Sequence, residues 1–173
     1  MRNISKKVAV EGLLVGLSVW IGVFEHQFSF SVVQIFQGFG IIPILMIQDL
    51  FGLSSGVWCL FSYCLIRTIF FSRASVLGFL MKMSVVFYMF FRKKKSDRIY
   101  KIIIFDLIGI IISIIVKIPI SYIFWRGTLG INSTQAMYII TKYMIPMNFA
   151  RMVIAILVSR IIKTEKYYKK LDS

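Results

Sequence analysis

One histidine, two cysteines and seven acidic residues are all that this 173-residue chain has of the side chains most used for catalysis and metal binding. His26 stands alone, with no metal-ligand spacing around it. Cys59 and Cys64 lie five apart in one apolar stretch, a spacing that does not suit a disulfide on a helix, and core packing accounts for both. Asp49 and Asp106 are isolated acids rather than a pair, and no GxSxG, Walker loop, HExxH or CxxC pattern occurs. An enzyme working inside a membrane needs several polar groups on adjacent turns, and none are found. No catalysis, metal or cofactor is expected.

What the chain has in excess is apolar residues: 58% of it is hydrophobic and only 16% charged. A soluble domain of this length would expose too much of that surface. Several runs approach or reach the ~20 residues that cross a bilayer as a helix. In lipid the backbone must satisfy its own hydrogen bonds, so the expected fold is all-α, a six-transmembrane-helix bundle. The spans are predicted at residues 5–24, 36–51, 53–71, 74–91, 101–124 and 137–162, in a single membrane domain over residues 1–173. Residues 1–7 are basic, but the apolar run after them has no clear small-residue cleavage site, so it reads as a retained helix.

Bases outnumber acids by 21 to seven, a net charge of +14. Such a balance suggests nucleic acid, but the placement of the bases argues against it. Arg2, Lys6 and Lys7 precede the first span. Arg92, Lys93, Lys94, Lys95, Arg98 and Lys101 separate the fourth from the fifth, and Arg160, Lys163, Lys166, Lys169 and Lys170 close the chain. With six spans these fourteen fall on one side, and the opposite connections hold only Arg73 and Arg126. The positive-inside rule then places both ends of the chain in the cytoplasm. Five or seven spans would split the clusters. The basic runs read as topology signals and lipid-headgroup contacts.

The opposite face carries the longer connections, EHQFSFSVVQIFQGFG at residues 25–40 and WRGTLGINSTQ at residues 125–135. Trp20, Phe24, Phe28, Phe30, Phe124, Trp125, Tyr138 and Tyr143 cluster near it, as an interfacial belt or as pocket walls that stack on a planar ligand. In the first span Ala9, Gly12 and Gly16 make a small-residue face suited either to internal packing or to docking a separate subunit. Within the spans, Arg67, Lys82, Lys117, Lys142 and Arg151 lie at mid-membrane or toward this outer face, while Glu11, Asp49 and Asp106 lie toward the other. Snorkelling or internal ion pairs would account for some of these charges. The excess of cations in the outer half also suits a bound anion.

The last hydrophobic segment, KYMIPMNFARMVIAILVSRIIK, concentrates polar groups where lipid disfavours them. Pro146 frees a carbonyl and kinks the helix. Asn148 and Arg151, at i and i+3, share a face and together offer amide and guanidinium groups to a polar ligand. The segment reads as one wall of a small-molecule site.

Three of these stretches resemble the S components of energy-coupling factor (ECF) vitamin transporters. The face at Ala9, Gly12 and Gly16 is similar to that family's AxxxA-type motif, with glycines replacing alanines. IPILMIQDLFGLSSG, from Pro43 to Gly52 and Gly56, is similar in spacing to its second helix, with Ile41 in place of an acid. PMNFAR resembles the Pro-Phe-Asn-x-x-Lys stretch of riboflavin-type members, and Lys82 and Lys117 fall near positions where asparagine is usual. The resemblance implies a substrate-binding membrane subunit of an ABC importer in a bacterial plasma membrane, with a vitamin as ligand and a T component and two ATPases as partners. It implies a ligand held by Asn148 and Arg151, with Lys117, Lys82 and Arg67 nearby, and docking through Ala9, Gly12 and Gly16. It points to riboflavin, whereas the added cations point to an anionic vitamin such as pantothenate or a B6 vitamer. A structural or assembly protein without a small ligand, and an autonomous secondary carrier, are the other classes open to such a chain. No internal repeat favours the carrier.

Overall fold

The computed structural model describes residues 2–27, 39–70, 76–92, 99–127 and 129–162. The connection at 28–38, Arg73, the bases Lys93, Lys94, Lys95 and Arg98, and those from Lys163 onward lie outside the described residues, as do the side chains of Arg2 and His26. Among the described residues there is no strand. In chain order the helices are α1 (Arg2–Gln27), a 3-10 turn (Phe39–Ile41) leading into α2 (Ile42–Phe51), α3 (Leu53–Phe70), α4 (Val76–Met83), α5 (Val85–Phe91), α6 (Ile99–Gly127), α7 (Ser133–Ile139) and α8 (Ile145–Ile161). Three stretches are long and apolar enough to cross a membrane: Ile4–Phe24, Ile99–Gly127 and Ser133–Ile161. The apolar helices Phe39–Phe51, Leu53–Ile69 and Phe79–Phe91 are shorter than the length expected of a span.

α2 is the axis of the bundle. Its first turns are apolar on every side, as suits a helix enclosed by others, and Ile42, Pro43, Ile44, Leu45, Ile47 and Gln48 are all buried. Pro43 sits in the first turn, where a missing N–H costs nothing. Gly52 ends the helix at φ 92°, a conformation open to glycine, and its N–H closes on Gln48 O. The Phe51–Gly52 turn sends α3 back along α2. The two pack tightly at Gly56, where a Cβ atom would meet Gln48 Cβ at 2.9 Å. Cys59 and Cys64 are free thiols buried in this core, beside Leu60 and Tyr63.

Two departures from the expected spans have local causes. The fourth span is two helices. Its backbone turns at Ser84, whose hydroxyl back-bonds to Met81 O at 2.7 Å and whose carbonyl accepts from Ser113 Oγ on α6 at 3.0 Å. The sixth starts at Ser133, where the Asn132 side chain caps α7 by accepting from Gln135 N at 2.8 Å. It then widens through a π-helical turn, Ile140–Met144, with Ile145 N–H bonded back to Ile140 O. The widening falls just before Pro146, whose ring crowds the carbonyl four residues back. The bend expected from Pro146 therefore takes the form of a wide turn.

Many large apolar side chains remain outside the bundle, among them Leu13, Trp20, Trp58, Phe90, Ile99, Ile115 and Ile161. A patch of this extent needs an apolar surround. Trp20, Phe24, Tyr138 and Tyr143 belong to this outer surface, which matches a peripheral belt better than pocket walls.

Candidate functional site

The polar residues of α6 form one stripe. Asp106, Ser113, Lys117 and Ser121 recur at helical spacing and face the rest of the bundle, although most of the helix is isoleucine-rich and exposed. Contacts from this stripe set its register against its neighbours. Met81 of α4 receives the Ser121 hydroxyl on Sδ at 3.2 Å, Ser84 O receives that of Ser113, and Tyr88 of α5 reaches Asp106. These three contacts run antiparallel and bring Lys82 to the level of Lys117. On the other flank, α8 is also antiparallel, with Asn148 opposite Lys117 and Arg160 opposite Asp106.

Lys117 Nζ donates to Asn148 Oδ1 at 2.7 Å. Asn148 is buried, and its Nδ2 donates to Met144 O at 2.7 Å, which directs the amide oxygen at the lysine. An ammonium has three protons to give, and Asn148 takes one. Arg151, one turn further along α8, places Nη2 2.8 Å from Met147 Sδ, a weak acceptor. The structure thus joins Lys117 to Asn148, with Arg151 one turn along α8 and Lys82 near the level of Lys117 on α4.

Arg67 lies on α3, and no described contact joins it to Lys117 or Asn148. Its Nη1 donates to Tyr63 Oη at 2.9 Å and its Nη2 to Gly22 O at 3.0 Å, so it ties α3 to the end of α1. Lys142 is exposed on the π-helical turn, over the rings of Tyr138 and Tyr143, and takes no part.

At the opposite end of the bundle two ion pairs join the helices. Arg92 grips Asp49 in a bidentate pair, Nε to Oδ1 at 2.9 Å and Nη2 to Oδ2 at 2.8 Å. It also donates to Tyr88 Oη at 2.8 Å and Ser159 Oγ at 3.0 Å. Tyr88 donates to Asp106 Oδ1 at 3.0 Å, and Arg160 Nη2 reaches the same carboxylate at 3.0 and 3.2 Å. One network therefore joins α2, α5, α6 and α8. Arg92 and Arg160 are members of it as well as of the basic clusters. Two acids in apolar runs, with two arginines at the ends of other runs, were the signal for it. The serines of α6, also missed, carry such a signal in their spacing.

Ala9, Gly12 and Gly16 share an exposed face of α1, and nothing lies within 4 Å of a Cβ placed on either glycine. No described residue packs closely against the two glycines of this face. Among the described residues, too, no three His, Cys, Asp or Glu side chains come together. No protein-family profile, curated protein or solved structure matches this chain.

Proposed function

We propose that this chain is the substrate-capturing membrane subunit of an ECF-type importer, taking up a water-soluble vitamin from outside a bacterial plasma membrane. The observation that carries the reading is the Lys117–Asn148 contact, a charged side chain held inside an apolar bundle between two membrane-length helices. Charge at such depth is costly and marks a substrate path by default. In this reading the chain crosses six times with both ends cytoplasmic, and the ligand enters beneath residues 25–40. Asn148, Arg151 and Lys117 hold it, with Lys82 and Arg67 close by. A T component docks on the open face at Ala9, Gly12 and Gly16, and two ATPases supply the energy, since the chain has no nucleotide-binding motif. Riboflavin is the first candidate by resemblance, and pantothenate or a B6 vitamer the next.

The test is to purify the chain in detergent, record its absorption spectrum and identify co-purified small molecules by mass spectrometry. A flavin spectrum supports capture of riboflavin, and a colourless preparation that releases another vitamin supports capture of that compound. A preparation that carries nothing, and whose melting temperature no vitamin raises, overturns the reading in favour of a structural membrane protein.

A further inference from the structure

We infer that Arg67 is a positioning residue of the capture site rather than a contact to its ligand. With Tyr63 it fixes the outer end of α1 against the turn that starts α2, the two segments that flank the entrance. The inference rests on the capture reading above and deepens it by assigning Arg67 to the frame of that entrance. Tyr63 and Arg67 are four apart on α3 and so share a face. Arg67 Nη1 donates to Tyr63 Oη at 2.9 Å, so the arginine holds the phenol and the two side chains act as one unit.

That unit meets both segments. On α1, Arg67 Nη2 donates to Gly22 O at 3.0 Å. The approach is possible because Gly22 has no side chain: a Cβ atom there would stand 3.1 Å from Arg67 Cζ and Nη1 and 3.2 Å from Cδ. The position also suits a cation, since the dipole of α1 is negative toward its C-terminal end. On the other side, Tyr63 Oη lies 2.7 Å from where a Cβ of Gly40 would be, and Ser18 O of α1 lies 3.1 Å from the same point. Gly40 is buried in the 3-10 turn that leads into α2. Gly22 and Gly40 are thus glycines for one reason: a single pair of α3 side chains sets the spacing of α1 and the start of α2. In the capture reading Lys117 and Asn148 hold the ligand from α6 and α8. Loss of the Arg67 tie leaves that pair in place and loosens the frame around it.

Vitamin exchange tests this on the purified full chain, with radiolabelled riboflavin, pantothenate and pyridoxal as probes and rapid filtration to give dissociation rates. For the vitamin that binds, Arg67→Met is expected to speed dissociation about tenfold, the range of a lost charge-assisted hydrogen bond. The same rise is expected for an analogue changed in its polar part: lumiflavin, pantothenol or pyridoxine. Gly22→Ala alters neither Arg67 nor a ligand contact, yet it forces the guanidinium aside and raises the rate as well. The double variant is no faster than Arg67→Met alone, because both changes break one tie. Should Arg67→Met fail to fold, Tyr63→Phe keeps the ring, removes the acceptor and completes the same cycle with Gly22→Ala. A Gly22→Ala chain that exchanges vitamin at the wild-type rate overturns the inference. So do rises that multiply in the double variant, or a rise seen with the vitamin and absent with its analogue, since a direct contact reads one group on the ligand. Each of these leaves capture standing. A wild-type chain that binds none of the three vitamins overturns the capture reading, and the inference with it.

Discussion

An added methyl group would do opposite things at Gly109 and Gly12, although both glycines are helical. At Gly109 a Cβ would stand 3.0 Å from Tyr88 Cδ2, 3.1 Å from Phe91 Cβ and 3.2 Å from Tyr88 Cα. Main-chain and Cβ atoms cannot swing aside, so α5 would be pushed off α6. Gly109→Ala is expected to lose about 1–3 kcal/mol, as overpacked cores do, and to lower the melting temperature of the detergent-solubilised chain. At Gly12 the space is empty. Gly12→Leu leaves the isolated chain as stable as before, or more so by up to ~1 kcal/mol, since glycine is a poor helix residue. Under the proposed function the same leucine blocks the face that a T component would use. Co-purification of the partner subunits is therefore lost while vitamin binding persists. A variant that still assembles would remove this face from the docking assignment.

Among the elements, the ends of α2, α5 and α8 and the start of α6 are held by buried ion pairs rather than by loops. The Arg92 side chain is only 1% exposed and Asp49 13%. Removing one partner strands the other charge, which typically costs about 3–5 kcal/mol, whereas replacing both by apolar groups of similar size is often neutral. Asp49→Asn should therefore destabilise strongly, and Asp49→Leu combined with Arg92→Met should recover most of the loss. A thermal-melt cycle over the single and double variants checks this, and a double variant as unstable as the singles would show that Tyr88 and Ser159 depend on Arg92 for more than charge.

The same elements show what the sequence disclosed. Apolar runs located the longer helices but not the start of α7 or the division between α4 and α5, and Asn148, Arg151, Lys117 and Lys82 were selected because polar groups in such runs need partners. The break at Ser84 was not legible, because the Ser84 carbonyl accepts from Ser113 across the bundle as well as from Phe87 N. Nor was the direct Lys117–Asn148 contact, which depends on the register of α8 against α6. Arg92 and Arg160 looked like parts of the basic clusters because proximity to Asp49 and Asp106 is a tertiary fact.

For the whole molecule, the contacts constrain how the chain can pass through a membrane. Lys7 lies over the Phe51 ring, Arg92 binds Asp49 and Arg160 binds Asp106. The start of α1, the ends of α2, α5 and α8 and the start of α6 therefore gather at one end, and Arg67 on Gly22 O puts the ends of α1 and α3 at the other. If only the three long helices crossed, successive crossings would alternate, and the starts of α1 and α6 would lie on opposite sides. They lie together, which fits a chain that returns between α1 and α6. Under the proposed six-span arrangement α2, α3 and the α4–α5 pair make that return. Cysteine labelling distinguishes the two arrangements. The native thiols are buried, so a membrane-impermeant maleimide should report mainly on introduced sites. Leu129→Cys should label on intact cells, and Ser54→Cys and Ser96→Cys only after permeabilisation. The reverse pattern is what three crossings with a cytoplasmic start produce, and observing it would overturn the six-span arrangement and with it the route by which a vitamin reaches Lys117.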